Sequence, residues 1–162
     1  MTNRQIVIDY REYDTLEELP HKGQELMAAA LEATATAYAP YSGFKVGAAV
    51  LLADGTVVTG SNQENAAYPS GLCAERTALF SASAQRPEQA VTALAVAARD
   101  KEGRLAEASP CGACRQVLAE YESRYGNTVT VYTLLAGGRI RRVEGVKSLL
   151  PFLFEADLKG GE

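Results

Sequence analysis

Histidine is nearly absent: the 162 residues contain one, against three cysteines. That residue, His21, lies in a polar stretch beside Pro20 with no motif around it, so a histidine-built metal site is excluded. Long apolar runs are missing too. The longest, such as Val46–Ala53, fall far short of the roughly 20 residues that a membrane helix needs. There is no basic run, and 16 Lys and Arg against 20 Asp and Glu leave a net charge of -4, a poor footing for a nucleic-acid strand. The N-terminus is acidic and polar rather than basic and then greasy, which predicts no secretion signal and a reducing, cytoplasmic setting. No internal repeat or low-complexity tract is visible. What remains is a chain that is 47% hydrophobic and 22% charged, with enough apolar surface to offset the entropy of ordering.

Residues 1–20 read as a charged N-terminal extension, in which Ile6-Val7-Ile8 offers only a thin case for an edge strand, and 21–162 as one domain. Leu16, Leu19, Leu26, Met27, Ala30, Leu31 and Tyr38 recur at helical spacing, and that helix must stop before Pro40. Val46–Ala53, Asp54-Gly55 and Thr56–Thr59 read as a hairpin, because Asp-Gly supplies the positive backbone angles of a tight turn. A helix over Ala74–Ala84, a strand over Thr92–Ala98 and a helix from Ser109-Pro110 to Tyr125 follow. Val129–Leu135 is the clearest strand, Gly137-Gly138 turns it back into Arg139–Val143, and a short helix is expected over Val146–Leu150. The sum predicts a three-layer α/β/α domain with a mixed sheet of about five strands.

The thiols cluster at two predicted helix starts: Cys73 in Gly71-Leu-Cys-Ala-Glu-Arg76, and Cys111 and Cys114 in Pro110-Cys-Gly-Ala-Cys-Arg115. Helix N-termini favour thiolate over thiol, and a C-x-x-C pair brings two sulfurs round one turn to share a tetrahedral metal. Three ligands with an open fourth position have the layout of a catalytic zinc site. Glu75, two residues after a ligand, is placed to reach a water in that position and to pass its proton on. Three thiolates blunt zinc's power to acidify water, and Arg76, the helix N–H groups, or both are placed to draw charge off them. Taken singly, each cysteine reads as well as a buried core residue, and Cys111/Cys114 as a thioredoxin-type redox pair or part of a structural zinc site. The coincidence of Cys73-Ala-Glu75 with Pro110-Cys-x-x-Cys114 uses every cysteine in the chain, and that separates the readings.

With these motifs the chain resembles the zinc-dependent cytidine deaminases, in the all-cysteine version of the small homotetrameric nucleoside enzymes. The likeness runs from about Leu26 to Phe154: Tyr38–Ala49, Asn62–Tyr68, Cys73–Thr77, Pro110–Arg115 and Leu149–Phe154 each match a family segment. The departures are the residues before Leu16 and Gln63, where the family has valine or a similar residue. The resemblance implies one zinc per subunit on Cys73, Cys111 and Cys114, with Glu75 as the proton shuttle. It implies that Asn62 and Glu64 hydrogen-bond the ribose hydroxyls and that Phe44 stacks on the pyrimidine. It further implies that Tyr68 and Phe154 reach across subunit interfaces of a homotetramer. The expected reaction is hydrolysis of cytidine and 2'-deoxycytidine to the uridines with release of ammonia, as in pyrimidine salvage. An enzyme of the same fold acting on a nucleic-acid strand or on an antibiotic nucleoside, a redox protein using Cys111 and Cys114, and a non-catalytic zinc module that supports an interface are the rival expectations.

Overall fold

A computed structural model describes residues 1–155; residues 156–162, the end of the predicted 21–162 domain, lie outside the described part. Two apolar strands form its centre. β2 (Lys45–Leu52) and β4 (Val91–Arg99) pair antiparallel along nearly their whole length, from Lys45 opposite Arg99 to Leu52 opposite Val91. Their unbroken apolar stretches are covered on both faces, which is why they show no alternation with polar residues. β3 (Val57–Ser61) returns from β2 through Asp54-Gly55, with Gly55 at φ +87. On the far side of β4, β6 (Thr130–Leu134) runs parallel to it, and β7 (Ile140–Glu144) comes back antiparallel after Gly137-Gly138.

The sheet is larger than the five strands expected. Among the described residues it has seven, with β1 (Tyr10–Tyr13) added outside β7 and β5 (Leu105–Ala106) against the end of β4. The order is β1-β7-β6-β4-β2-β3, with β5 off this path. The strand of the N-terminal extension is thus Tyr10–Tyr13 rather than Ile6–Ile8, whose side chains are exposed. It is fastened by charge: Glu12 accepts hydrogen bonds from Arg139 at 3.0 Å and from Arg141 at 3.0 and 3.1 Å.

Helix α1 (His21–Ala33) covers one face of the sheet, where Leu26, Met27 and Ala30 pack on Ala49, Ala93, Ala95 and Ala97. Helices α2 (Ala74–Gln85) and α3 (Gly112–Tyr125) cover the other, on Val50, Leu94, Val96 and Val131. This is the three-layer arrangement expected. The first helix is shorter than its apolar stripe: it tightens into a 3-10 turn over Thr34–Thr36, and Tyr38 is already extended, bridging Gln63. The closing helix is likewise only a 3-10 turn over Val146–Ser148.

Two glycines bring the helices down onto the sheet. A β-carbon on Gly47 would stand 2.6 Å from Thr34 N, and one on Gly60 would stand 2.7 Å from Ala74 O. Helix backbone therefore lies directly against β2 on one face and β3 on the other. Ala74 is the first residue of α2, so the second contact fixes the height at which that helix begins.

Candidate metal centre and active site

All three thiols arrive at helix N-termini. Cys73 is the N-cap of α2 and Cys111 the N-cap of α3, both in extended backbone, and Cys114 lies within the first turn of α3. The two helices are held in mutual register by the buried Tyr121 hydroxyl, which donates to Leu79 O at 3.0 Å. As a result Cys73 Sγ stands 3.7 Å from Cys111 Sγ, and Cys111 Sγ 3.5 Å from Cys114 Sγ, with all three sulfurs within 4.8 Å of one another. Zinc–sulfur bonds of about 2.3 Å in a tetrahedron set sulfurs about 3.8 Å apart, so the trio fits zinc closely. The sulfurs are the right type as well, soft donors that select zinc over hard cations. Burial is graded across them: Cys114 is buried, Cys73 half-buried and Cys111 exposed.

Charge is gathered here. A hydrogen bond from Cys114 pulls the Cys73 thiol down to about 5 against the cost of its burial, aided by Arg76 and Cys111. Cys114 is pushed up, because its proton is held in the bond to Cys73 and the site is desolvated. Arg76 Nη2 points at Cys73 Sγ from 3.7 Å, the contact that charge-tuning requires, and the sulfur holds the guanidinium more firmly protonated. Glu75 is only 4% exposed, and burial raises its carboxyl pKa, with the Cys73 charge acting in the same direction. A carboxyl raised in this way can both take and return a proton.

The centre lies at a cavity of about 740 Å³ lined by Cys73, Glu75, Arg76 and Cys111 together with Phe44, Asn62, Glu64 and Tyr68. Its polar wall is made by threading Asn62–Glu64 between two extended neighbours. Tyr38 N donates to Asn62 O at 3.0 Å, Glu64 N to Tyr38 O at 2.8 Å, and Gln63 N to Leu72 O at 2.9 Å. Leu72 immediately precedes Cys73, so this segment and the first thiol are set by one ladder. Gln63, the departure from the family pattern, turns its amide back to Ser61 Oγ at 3.1 Å. Asn62 is largely engaged with the chain itself: Val46 N donates to its Oδ1 at 2.8 Å, and its Nδ2 donates to Phe44 O at 2.9 Å.

Of the predicted site residues, Cys114 and Phe154 do not line this cavity: Cys114 is buried behind Cys73 and Cys111, whereas Phe154 lies at the surface. It is 76% exposed, and its carbonyl accepts a hydrogen bond from Gln116 Nε2 at 2.8 Å. Tyr68 lines the mouth yet is 80% exposed. The sequence reading missed Ser42, Val96, Ala108 and Ser109, which also line the cavity. Ser109 sits beside Pro110-Cys111 and Ser42 within Tyr38–Ala49, so both were inside recognised motifs. Val96 carried no signal beyond its strand.

Residues 20–131 match the family model described as the cytidine and deoxycytidylate deaminase zinc-binding region. A cytidine deaminase of Halalkalibacterium halodurans is 44% identical over 134 residues, covering 83% of this chain and 95% of that protein. One of Sporosarcina psychrophila is also 44% identical, covering 83% and 92%. The crystal structure of cytidine deaminase from Burkholderia pseudomallei superposes with a TM-score of 0.71 at 41% identity, covering 84% of this chain and all of that one. With its fold, its thiol trio and these relatives in agreement, the chain belongs to the cytidine and deoxycytidylate deaminase family.

Proposed function

We propose that this protein hydrolyses cytidine and 2'-deoxycytidine to uridine and 2'-deoxyuridine, with one water consumed and one ammonia released. The observation that carries the reading is the buried Glu75 beside three clustered sulfurs in a cavity walled by Phe44, Asn62 and Glu64. Cys73, Cys111 and Cys114 would hold one zinc ion per chain, which would supply a polarised, acidified water for attack at the pyrimidine C4. Glu75 relays both protons of that water: it takes the first and passes it to the ring N3, then takes the second from the hydroxyl added at C4 and passes it to the departing amine. Phe44 stacks on the ring, and Asn62 and Glu64 hydrogen-bond the sugar hydroxyls, so a bare base leaves polar groups unmatched.

The charge of the cavity favours the nucleoside over its phosphate. Among the described residues lining it, the only cation is Arg76, and that guanidinium is committed to Cys73. Glu64 adds negative charge at the polar wall. The thiols must stay reduced to bind metal, which fits a cytoplasmic salvage role. Tyr68 and Phe154, both strongly exposed, are offered to neighbouring copies in a homotetramer whose sites are completed across subunits.

The test is loss of cytidine absorbance with and without a strong chelator, alongside elemental analysis. One zinc per chain, activity abolished by stripping and restored by zinc, and indifference to salt are expected. Full turnover by metal-free protein would overturn the reading. A reversible Cys111–Cys114 disulfide in a protein that binds no metal would make it a redox protein instead.

A further inference from the structure

We infer that Ser42 is the positioning residue for Glu64, fixing which lone pair that carboxylate presents to the substrate. The inference rests on the reading in which Glu64 accepts a sugar hydroxyl. It begins with the turn Pro40-Tyr-Ser-Gly43. Gly43 N donates back to Ala39 O at 3.0 Å, and Gly43 itself sits at φ +67. A β-carbon there would stand 2.9 Å from Lys101 Cβ as well as being strained in the backbone, so the turn is closed by glycine for two separate reasons.

Closed in this way, the turn aims two successive backbone N–H groups at one oxygen. Tyr41 N and Ser42 N donate to Glu64 Oε2 at 2.8 and 3.3 Å. The Ser42 hydroxyl takes the other oxygen, donating to Oε1. A hydroxyl rotor is normally free to choose its acceptor, but here Phe44 N donates to Ser42 Oγ at 3.0 Å. That bond occupies a lone pair and leaves the single Ser42 proton directed at Glu64.

Counting acceptor positions gives the consequence. A carboxylate offers about four lone-pair sites, of which the turn fills about three, two on Oε2 and one on Oε1. The remaining site is on Oε1, so Glu64 presents one acceptor for one hydroxyl. The bonds from Ser42 and Tyr41 also hold its carboxyl below the ordinary range, which keeps it an acceptor. Without the Ser42 hydroxyl, Oε1 regains a second open site and the carboxylate is tethered through one oxygen only. Ser42 is exposed and packs into no core, so its removal perturbs binding rather than folding.

The experiment is a double-mutant cycle on zinc-loaded protein: Ser42→Ala, Glu64→Gln and both together, with Ser42→Thr as the conservative variant. Zinc content and melting temperature are read alongside KM and kcat for cytidine. Ser42→Ala is expected to raise KM about tenfold, since a hydrogen bond to a charged group is at stake, while kcat stays within about twofold. Ser42→Thr restores most of that loss, and adding Ser42→Ala to Glu64→Gln changes KM by less than about twofold, because the two act as one unit. Independent, multiplying effects, an unchanged KM in Ser42→Ala, or a threonine variant as weak as the alanine one would each overturn the role of Ser42. An unchanged KM in Glu64→Gln would instead overturn the sugar-gripping reading on which it rests.

Discussion

Gly60→Ala tests whether the sheet sets the height of the metal centre. The added β-carbon would clash most tightly with Ala78 N, and would stand 2.7 Å from Ala74 O and 3.0 Å from Ala78 Cα, where ordinary contact begins at 3.4 Å. All three obstacles are helix backbone, which cannot swing aside, so α2 must lift by about 1 Å to recover contact distance. Cys73 caps that helix and Glu75 lies in its first turn, whereas Cys111 and Cys114 ride on α3 and stay in place. Metal–ligand distances tolerate only about 0.2 Å, so the lift pulls one ligand out of range of the other two. Overpacking costs about 1–3 kcal/mol, at roughly 2–4 °C of melting temperature per kcal/mol for a chain of this size. Misplacing the proton shuttle by such a distance costs about 100-fold in turnover. Gly47→Ala is the control. Its β-carbon would clash most tightly with Ala30 O and would stand 2.6 Å from Thr34 N and 2.9 Å from Ala33 C, a clash at least as severe on the opposite face of the sheet. Zinc per chain by elemental analysis and cytidine turnover, both measured below either melting transition, should fall in Gly60→Ala and hold in Gly47→Ala. A Gly60→Ala protein with full zinc and full turnover would show that β3 does not set the position of α2. Loss of zinc in both variants would show that the effect is general unfolding.

Glu75→Gln should keep its zinc and lose at least about 1000-fold in turnover, because every proton transfer runs through that carboxyl. The same residue leaves a mark on stability. Burial raises its pKa above the ordinary 4.5, so the native state holds a proton that the unfolded chain has released. Stability of metal-stripped protein therefore falls as pH rises from the ordinary value through the raised one, and urea titrations at a series of pH values should show this slope vanish in Glu75→Gln. Arg76→Ala leaves the sulfurs more negative, which should move the pH–rate profile to higher pH; an unchanged profile at unchanged zinc content would remove Arg76 from charge tuning. Glu12→Ala cuts the ties of β1 to Arg139 and Arg141, and these are exposed pairs worth at most about 1 kcal/mol. Limited proteolysis should then cut the N-terminal segment sooner while cytidine turnover is unchanged.

The central elements were legible because burial writes periodicity. The apolar runs of β2 and β4, the Asp54-Gly55 hairpin and the helix starting after Pro110 all appear where expected. Elements held by charge or by two backbone pairings leave no such trace. Tyr10-Arg-Glu-Tyr13 is almost wholly exposed and paired through ions, so no alternation marks it as a strand. Leu105–Ala106 is too short to carry a pattern at all. The early end of α1 has a different cause: Thr34 and Thr36 turn their hydroxyls onto Leu31 O and Ala33 O, drawing the last turn tight before Tyr38 must run extended beside Gln63.

The thiol cluster was legible for a chemical reason. Thiolates and their proton shuttle must come from particular residue types at fixed offsets from a helix start, so sequence spacing and spatial spacing nearly coincide. The proposed sugar wall obeys another rule. Asn62 and Glu64 could be singled out by type, but what each can still offer a ligand depends on how much of it the fold consumes. Asn62 gives Oδ1 to Val46 N and one Nδ2 hydrogen to Phe44 O, while Glu64 gives both oxygens to the Tyr41–Ser42 turn. Each partner comes from some 20 residues away, across a pairing that no local pattern specifies. On the proposed reading, selectivity for a hydroxylated sugar resides less in the identity of these two residues than in the turn and strand that limit what each has left: one acceptor site on Glu64, and one N–H and one lone pair on Asn62. A substitution at Ser42 or Gly43 would alter it without touching either one.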